Sequence, residues 1–173
     1  MPCSRQDALR AFLQEPPQYL PATIPIYSNA GYQILGYAIE NITSRPFEDL
    51  ITNDVFCPLG MENSSYTLPT GKPVHGVIPG NDSASLWNAP QGGAGPAGGI
   101  YSTQNDLIKF GQAIMKNAQL SPTVTREWMK PVANTFVWQQ QVGRPWEIER
   151  WPVAGRIVDV YTKNGDLGAR IIR

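Results

Sequence analysis

Sixteen prolines and sixteen glycines punctuate this 173-residue chain, and the prolines above all limit where a helix can run. A proline ring removes a backbone donor and clashes with the preceding helical turn, and it pushes its predecessor toward extended conformations. The clearest proline-free stretch with a helical period runs from Ala30 to Thr43. Ala30, Ile34, Leu35, Ala38, Ile39 and Ile42 recur at three-to-four-residue spacing, which predicts an amphipathic helix with Ser28 or Asn29 as its N-cap. Arg45-Pro46 ends it, and Pro46 is expected to open a second helix that buries Phe47, Leu50, Ile51 and Val55 before Pro58-Leu59-Gly60-Met61 stops it.

The same rules locate the other elements. Ser4 and Asp7 fit a capping box ahead of Ala8, Leu9, Phe12 and Leu13, predicting a helix to about Gln14. Pro16 to Pro25 is expected to run extended. Thr103 and Asp106 form a second capping box before Leu107, Ile108, Gly111, Ile114 and Met115, and Ser121-Pro122 opens a short helix to about Lys130. Residues 72–99 lack periodicity and are expected to be a long loop of the kind that is usually functional or disordered. Phe136 to Trp151 is aromatic and irregular, with a hairpin expected around Gly143-Arg144-Pro145. Arg156 to Lys163 is the best strand, although a local reading finds little for it to pair with. The expected division is a helical region over 1–67, a Gly/Pro-rich loop over 68–102, helices over 103–130 and strands over 131–173.

Composition excludes several classes of function. Formal charge is zero and no basic run is present, so neither the electrostatic footprint of a nucleic-acid binder nor a polybasic membrane anchor is expected. Two cysteines and one histidine, His75, make no metal-ligand cluster, and neither metal nor cofactor is expected. No apolar run reaches the length of a signal peptide or a membrane span, which taken alone predicts a cytoplasmic protein; a longer parent could be secreted.

Three segments carry chemistry when taken in order: Tyr27-Ser28-Asn29-Ala30-Gly31-Tyr32-Gln33-Ile34-Leu35-Gly36, then Gly98-Gly99-Ile100-Tyr101-Ser102-Thr103 with Asp106-Leu107, then Tyr161-Thr162-Lys163-Asn164-Gly165. With Pro58-Leu59-Gly60-Met61 between them, this ordered set resembles the serine beta-lactamase-like family, which includes class C beta-lactamases, penicillin-binding proteins and related esterases and transesterases. The texture is closest to fungal members, some of which act in secondary metabolism. The resemblance implies an α/β (α+β) fold: a helical domain and part of the antiparallel sheet of the beta-lactamase/transpeptidase-like fold, mostly helix and long loops. It also implies acyl transfer through a serine three residues before a lysine, an element that should precede Tyr27 and that none of the serines here supplies.

By this resemblance Tyr27 is the phenol that relays the serine proton and Lys163 the ammonium that steadies negative charge. Asn29 binds the acyl donor, Gly165 completes the Lys-Asn-Gly element, and the backbone N–H of Asp166 is one oxyanion donor. The substrate is a small-molecule acyl donor; protein partners are unspecified. Asn164 stands where threonine is usual and Asp166 where a small residue is common, so an ester or thioester is favoured over a lactam. The chain is expected to be a truncated member, with an inactive pseudoenzyme or a non-folding remnant as alternatives. Taken without the family, Tyr27 is a half-buried aromatic, Ser28 or Asn29 a helix cap, and Lys163 a solvated strand-end charge. Ser102 and His75 suggest no triad, the Gly92–Gly99 run lacks the ending of a phosphate-binding loop, and Trp128, Trp138, Trp146 and Trp151 are expected in core and hairpin packing.

Overall fold

A computed structural model describes residues 4–70, 76, 87, 95–166 and 171–172. The described residues fall into two compact units, one drawn from Met1–Pro16 and Tyr27–Gln119, the other from Pro17–Ile26 and Leu120–Arg173. The first is helical and the second carries an antiparallel sheet, the mixed helix-and-sheet class expected from the sequence.

In the first unit, α1 spans Arg5–Gln14, and the Ser4 hydroxyl accepts from the Asp7 N–H as its cap. The central helix α2 spans Asn29–Thr43. It is tied to its neighbours through Glu40, which accepts from the Arg5 guanidinium at 2.9 Å and from the backbone N–H of Phe47 at 2.9 Å. That second bond satisfies one of the orphan donors of the next helix, α3 (Phe47–Ile51). Pro46 is the N-cap of α3 rather than its first residue, because its ψ of 139° is extended.

A five-residue π-helical turn, Thr52–Phe56, continues α3. It rotates the apolar face so that Phe56, which periodicity had not singled out, becomes a buried core residue while Val55 is only half-buried. Pro58-Leu59-Gly60-Met61 then closes the turn as a Schellman motif. Met61 N–H donates to the Phe56 carbonyl, Gly60 N–H donates to that of Cys57, and Gly60 takes the left-handed φ of 65° that favours glycine. Phe56 and Met61 are both 4% exposed, so the motif is anchored in the core.

The rest of the core approaches α2 closely. Gly95–Ala97 forms a 3₁₀ turn, and a Cβ on Gly36 would lie 2.3 Å from Pro96 Cγ. Gly36 is therefore where the Gly-rich segment seats on the helix. Residues 71–75, 77–86 and 88–94, with His75 and most of the expected long loop, lie outside the described residues.

The helix α4 spans Gln104–Met115. Its expected capping box is only half formed: Thr103 Oγ1 accepts from the Asp106 N–H, but the Asp106 carboxylate turns away to another loop. That carboxylate is 0% exposed and accepts from Asn63 N at 2.7 Å, from Ser64 Oγ at 3.0 Å and from Lys109 Nζ at 3.1 Å. Lys109 also donates to the Gly60 carbonyl. Burial on its own would raise the acid, but three donors converge on the group, Asn63 and Ser64 from a distant loop and Lys109 from the next turn of the same helix, and together they outweigh it. The Asp106 pKa is held below its ordinary value.

In the second unit, residues 17–26 make bends and a turn at Leu20–Thr23, where Ala22 has a φ of 60°, rather than one extended run. Pro21 fixes the φ of the preceding turn position, which favours such a reversal over an extended path. The helix α5 spans Pro122–Trp128 with Ser121 as cap. Four antiparallel strands follow in the order β1-β2-β3-β4: β1 Ala133–Asn134, β2 Gln140–Val142, β3 Glu147–Val153 and β4 Arg156–Thr162.

The β2–β3 connection contains Gly143-Arg144-Pro145, as expected. The local reading erred on β4, which pairs with β3 over its whole length from Glu147↔Thr162 to Val153↔Arg156. Trp151 and Pro152 masked β3 as a strand. The turn between them is Ala154-Gly155, with φ of 50° and 78°, as a two-residue hairpin requires. Ile148, 1% exposed, anchors the sheet. Trp146 lies 5.0 Å from Trp128 and 6.0 Å from Tyr161, ring to ring, whereas Trp138 is 94% exposed and packs no core. A short hairpin, β5 Gly165–Asp166 with β6 Ile171–Ile172, comes last.

Candidate active site

Tyr27 and Asn29 sit where the chain enters α2. Ser28 is the N-cap, with extended φ and ψ of −152° and 108°, and its hydroxyl accepts from the Gly31 N–H at 2.9 Å. That cap turns the two flanking side chains to the same end of the helix. The Tyr27 hydroxyl donates to Asn29 Oδ1 at 2.8 Å, so the remaining donor capacity of Asn29 lies in its NH₂ group. Tyr27 is 68% exposed, more open than an aromatic half-buried at a loop–helix junction. Helix geometry thus presents a phenol and an amide donor together, at a helix end where partial positive charge favours anions.

Lys163 follows directly on β4. Its Nζ donates to Glu147 Oε1 at 2.7 Å and to the Asn164 carbonyl at 2.8 Å. The other Glu147 oxygen accepts from the Asn164 backbone N–H at 3.2 Å. Sheet register makes this possible: Glu147 is the cross-strand partner of Thr162, whose Oγ1 donates to the Glu147 carbonyl at 2.8 Å. Gly165 and Asp166 form β5, paired with Ile172 and Ile171.

Glu147 is the residue that sequence reasoning missed. Its signal was present, since a hairpin centred on Ala154-Gly155 counts back seven pairs to place Glu147 beside the Lys163 element. Among the other candidates, Ser28 acts as the cap. Ser102 shares a 2.8 Å hydroxyl–hydroxyl hydrogen bond with Ser64, which also donates to Asp106. A carboxylate held in its ionised form by three donors is a weak base, so this cluster fastens a loop rather than activating a nucleophile. No group of His, Cys, Asp and Glu that could hold a metal occurs among the described residues, and no described helix is long and apolar enough to cross a membrane.

Residues 2–172 match the family model described as Beta-lactamase, and the chain belongs to that family. A beta-lactamase-like protein of Arthroderma benhamiae is 29% identical over 168 residues, which cover 94% of this chain and 28% of that protein. The D-alanyl-D-alanine-carboxypeptidase/endopeptidase AmpH of Escherichia coli is 28% identical over 97 residues, covering 56% of this chain and 25% of its own length. A penicillin-binding protein from Bacillus halodurans superimposes with a TM-score of 0.67 at 26% identity, over 90% of this chain and 50% of that one. The chain thus spans about a quarter of the length of these curated relatives and half of the solved structure.

Proposed function

We propose that this beta-lactamase-family chain carries the proton-relay and charge-stabilising part of a serine hydrolase or acyltransferase site, acting on small-molecule ester, thioester or amide acyl donors. The serine and its partner lysine would come from polypeptide outside these 173 residues. The observation that carries the reading is the Tyr27–Asn29 hydrogen bond of 2.8 Å at an exposed helix N-terminus, in a chain that matches the family over 2–172.

In this reading Tyr27 reacts as the phenolate: the serine hydroxyl gives its proton to that oxygen as the serine oxygen bonds to the acyl carbon, leaving Tyr27 a neutral phenol. The tetrahedral oxyanion is held by the backbone N–H of Asp166 and that of the serine. When the bond to the leaving group breaks, the proton passes from Tyr27 to that group, leaving an acyl-serine ester. Water or another acceptor then repeats the sequence in reverse order of roles. Asn29 donates through its NH₂ to the acyl donor, Gly165 lets the donor approach the backbone, and Lys163 offsets negative charge on the phenol oxygen. The same proposal keeps the division into a helical region over 1–67, a loop over 68–102, helices over 103–130 and strands over 131–173. It also places the substrate in secondary metabolism.

A non-catalytic, ligand-binding descendant is the second reading, favoured by the Lys163–Glu147 ion pair, which gives the ammonium a structural task. One experiment separates the two. The protein is expressed with its neighbouring coding sequence, labelled with a fluorophosphonate and assayed on nitrophenyl acetate. The catalytic reading expects the label on a serine three residues before a lysine, and a Tyr27→Phe variant roughly 100-fold slower. Undiminished turnover by Tyr27→Phe, or a label on a serine within residues 1–173, sinks it.

A further inference from the structure

We propose that Glu147 is a specificity-determining residue: its carboxylate fills the anion seat made by Lys163 and the Asn164 backbone, so that the site selects acyl donors carrying no carboxylate at that position. The inference rests on the reading of Lys163 as part of the acyl-transfer site and names the substrate class for it: neutral or cationic esters, thioesters and amides.

The seat is built from two donors on adjacent residues. An ammonium at 2.7 Å from one carboxylate oxygen and a backbone N–H at 3.2 Å from the other form a two-point cradle for one carboxylate. Glu147 already occupies both points. It is delivered there by the β3–β4 register and is fixed further by the Thr162 hydroxyl on its own carbonyl.

Residues alternate sides along β3, so Glu149 shares the face of Glu147 and adds a second negative charge, its carboxylate accepting from the Trp151 indole. The neighbouring cation on β3, Arg150, points to the opposite face and is paired with Asp159 at 2.9 Å. Among the described residues of this strand face, the two nearest the Lys163 end, Glu147 and Glu149, are both carboxylates. An incoming anion must displace the first and approach the second, whereas a neutral group meets no such charge.

Both partners keep about a third of their side-chain surface in water (33% and 36%), so the ion pair is weak enough to exchange. At these distances and exposures one charge changes the affinity of an anion by roughly ten-fold rather than absolutely. Discrimination of that size sorts substrates without closing the site.

The test uses the ¹⁵N-labelled chain and follows the Asn164 amide while N-acetyl-D-phenylalanine or its methyl ester is added. Glu147→Gln is expected to bind the acid about ten-fold more tightly than the unaltered chain, with ester binding changed less than about two-fold. Adding Lys163→Met to Glu147→Gln should remove the gain. Glu147→Ala is read in the same way, because glutamine retains an acceptor oxygen and could hold part of the seat. Equal acid affinity in the unaltered chain and in both variants overturns the proposal, as does an acid that shifts Asn164 in none of them. The titration needs no nucleophile, so a failure to label with fluorophosphonate would remove the catalytic reading and leave this result standing.

Discussion

Replacing Gly36 by alanine tests the packing that seats α2, and the structure sets the size of the effect. An added Cβ would stand 2.3 Å from Pro96 Cγ and 2.8 Å from Pro96 Cβ, with Phe47 Cδ2 at 3.8 Å. Ordinary carbon–carbon contact is about 3.5–4.0 Å, so helix and proline must separate by about 1 Å. Neither yields readily: the ring is locked to its backbone and the helix is held by Glu40 to its neighbours. Overpacking of this kind costs about 1–3 kcal/mol. Because the clash is severe the upper part of that range applies, and it is offset by about 1 kcal/mol of better helix propensity for alanine. The net loss is about 2 kcal/mol, or about 4–8 °C in Tm for a chain of this size. Thermal unfolding followed by circular dichroism measures it. Gly111→Ala is the control, since it lies in α4 with no atom within 4 Å of its added Cβ; it should raise Tm by about 2–3 °C. A Gly36→Ala protein that melts at or above the unaltered one refutes the close approach of Pro96.

Asp106→Ala removes a fully buried acceptor from three donors and should destabilise by roughly 3 kcal/mol, read as a fall in the urea midpoint. The folded-state pKa of Asp106 is depressed below 3.8, so its stabilising contribution is full above that value and is lost as pH falls below it. Melting temperature should therefore drop between pH 4 and more acidic solution in the unaltered chain, and the drop should be smaller in Asp106→Asn. Tyr66 is pushed up to about 12, first by burial and then by the Glu48 carboxylate. The stability linked to its protonation is present below pH 10 and lost toward pH 12, and Tyr66→Phe should flatten that alkaline limb of the melting curve.

What could be read from the sequence follows the range of the forces involved. Ser4, Ser28, Thr103 and Ser121 each cap the helix they precede, because a cap hydrogen bond closes over three residues. Pro58-Leu59-Gly60-Met61 is equally local, a helix stop that needs one left-handed residue. The Tyr27–Asn29 hydrogen bond is equally short in range, both groups hanging from one capped turn, but the motif alone did not predict it. Phe56 was not legible because a π-helical turn breaks the 3.6-residue period that identifies core positions. The sheet was hidden for a different reason. Its pairing depends on a turn at Ala154-Gly155 whose first residue is an unusual choice for positive φ, and on a strand that contains proline.

That contrast bears on how the tyrosine segment and the lysine segment each tolerate change. In the tyrosine segment the Ser28 cap and the Tyr27–Asn29 hydrogen bond both close within residues 27–31. The lysine part rests on register: seven cross-strand pairs carry Glu147 to Thr162 and hence to Lys163. In a strand a slip of one residue sends every side chain to the other face, which would withdraw Glu147 from the Lys163 ammonium and bring Ile148 to its place. Inserting one glycine after Gly155 should do this. The Asn164 amide shift, read by NMR, would then change, because the Glu147 carboxylate no longer accepts from it. If the Asn164 amide keeps its shift, the cross-strand register is not what delivers Glu147 to the Lys163 element, and the account of a register-built ammonium is wrong.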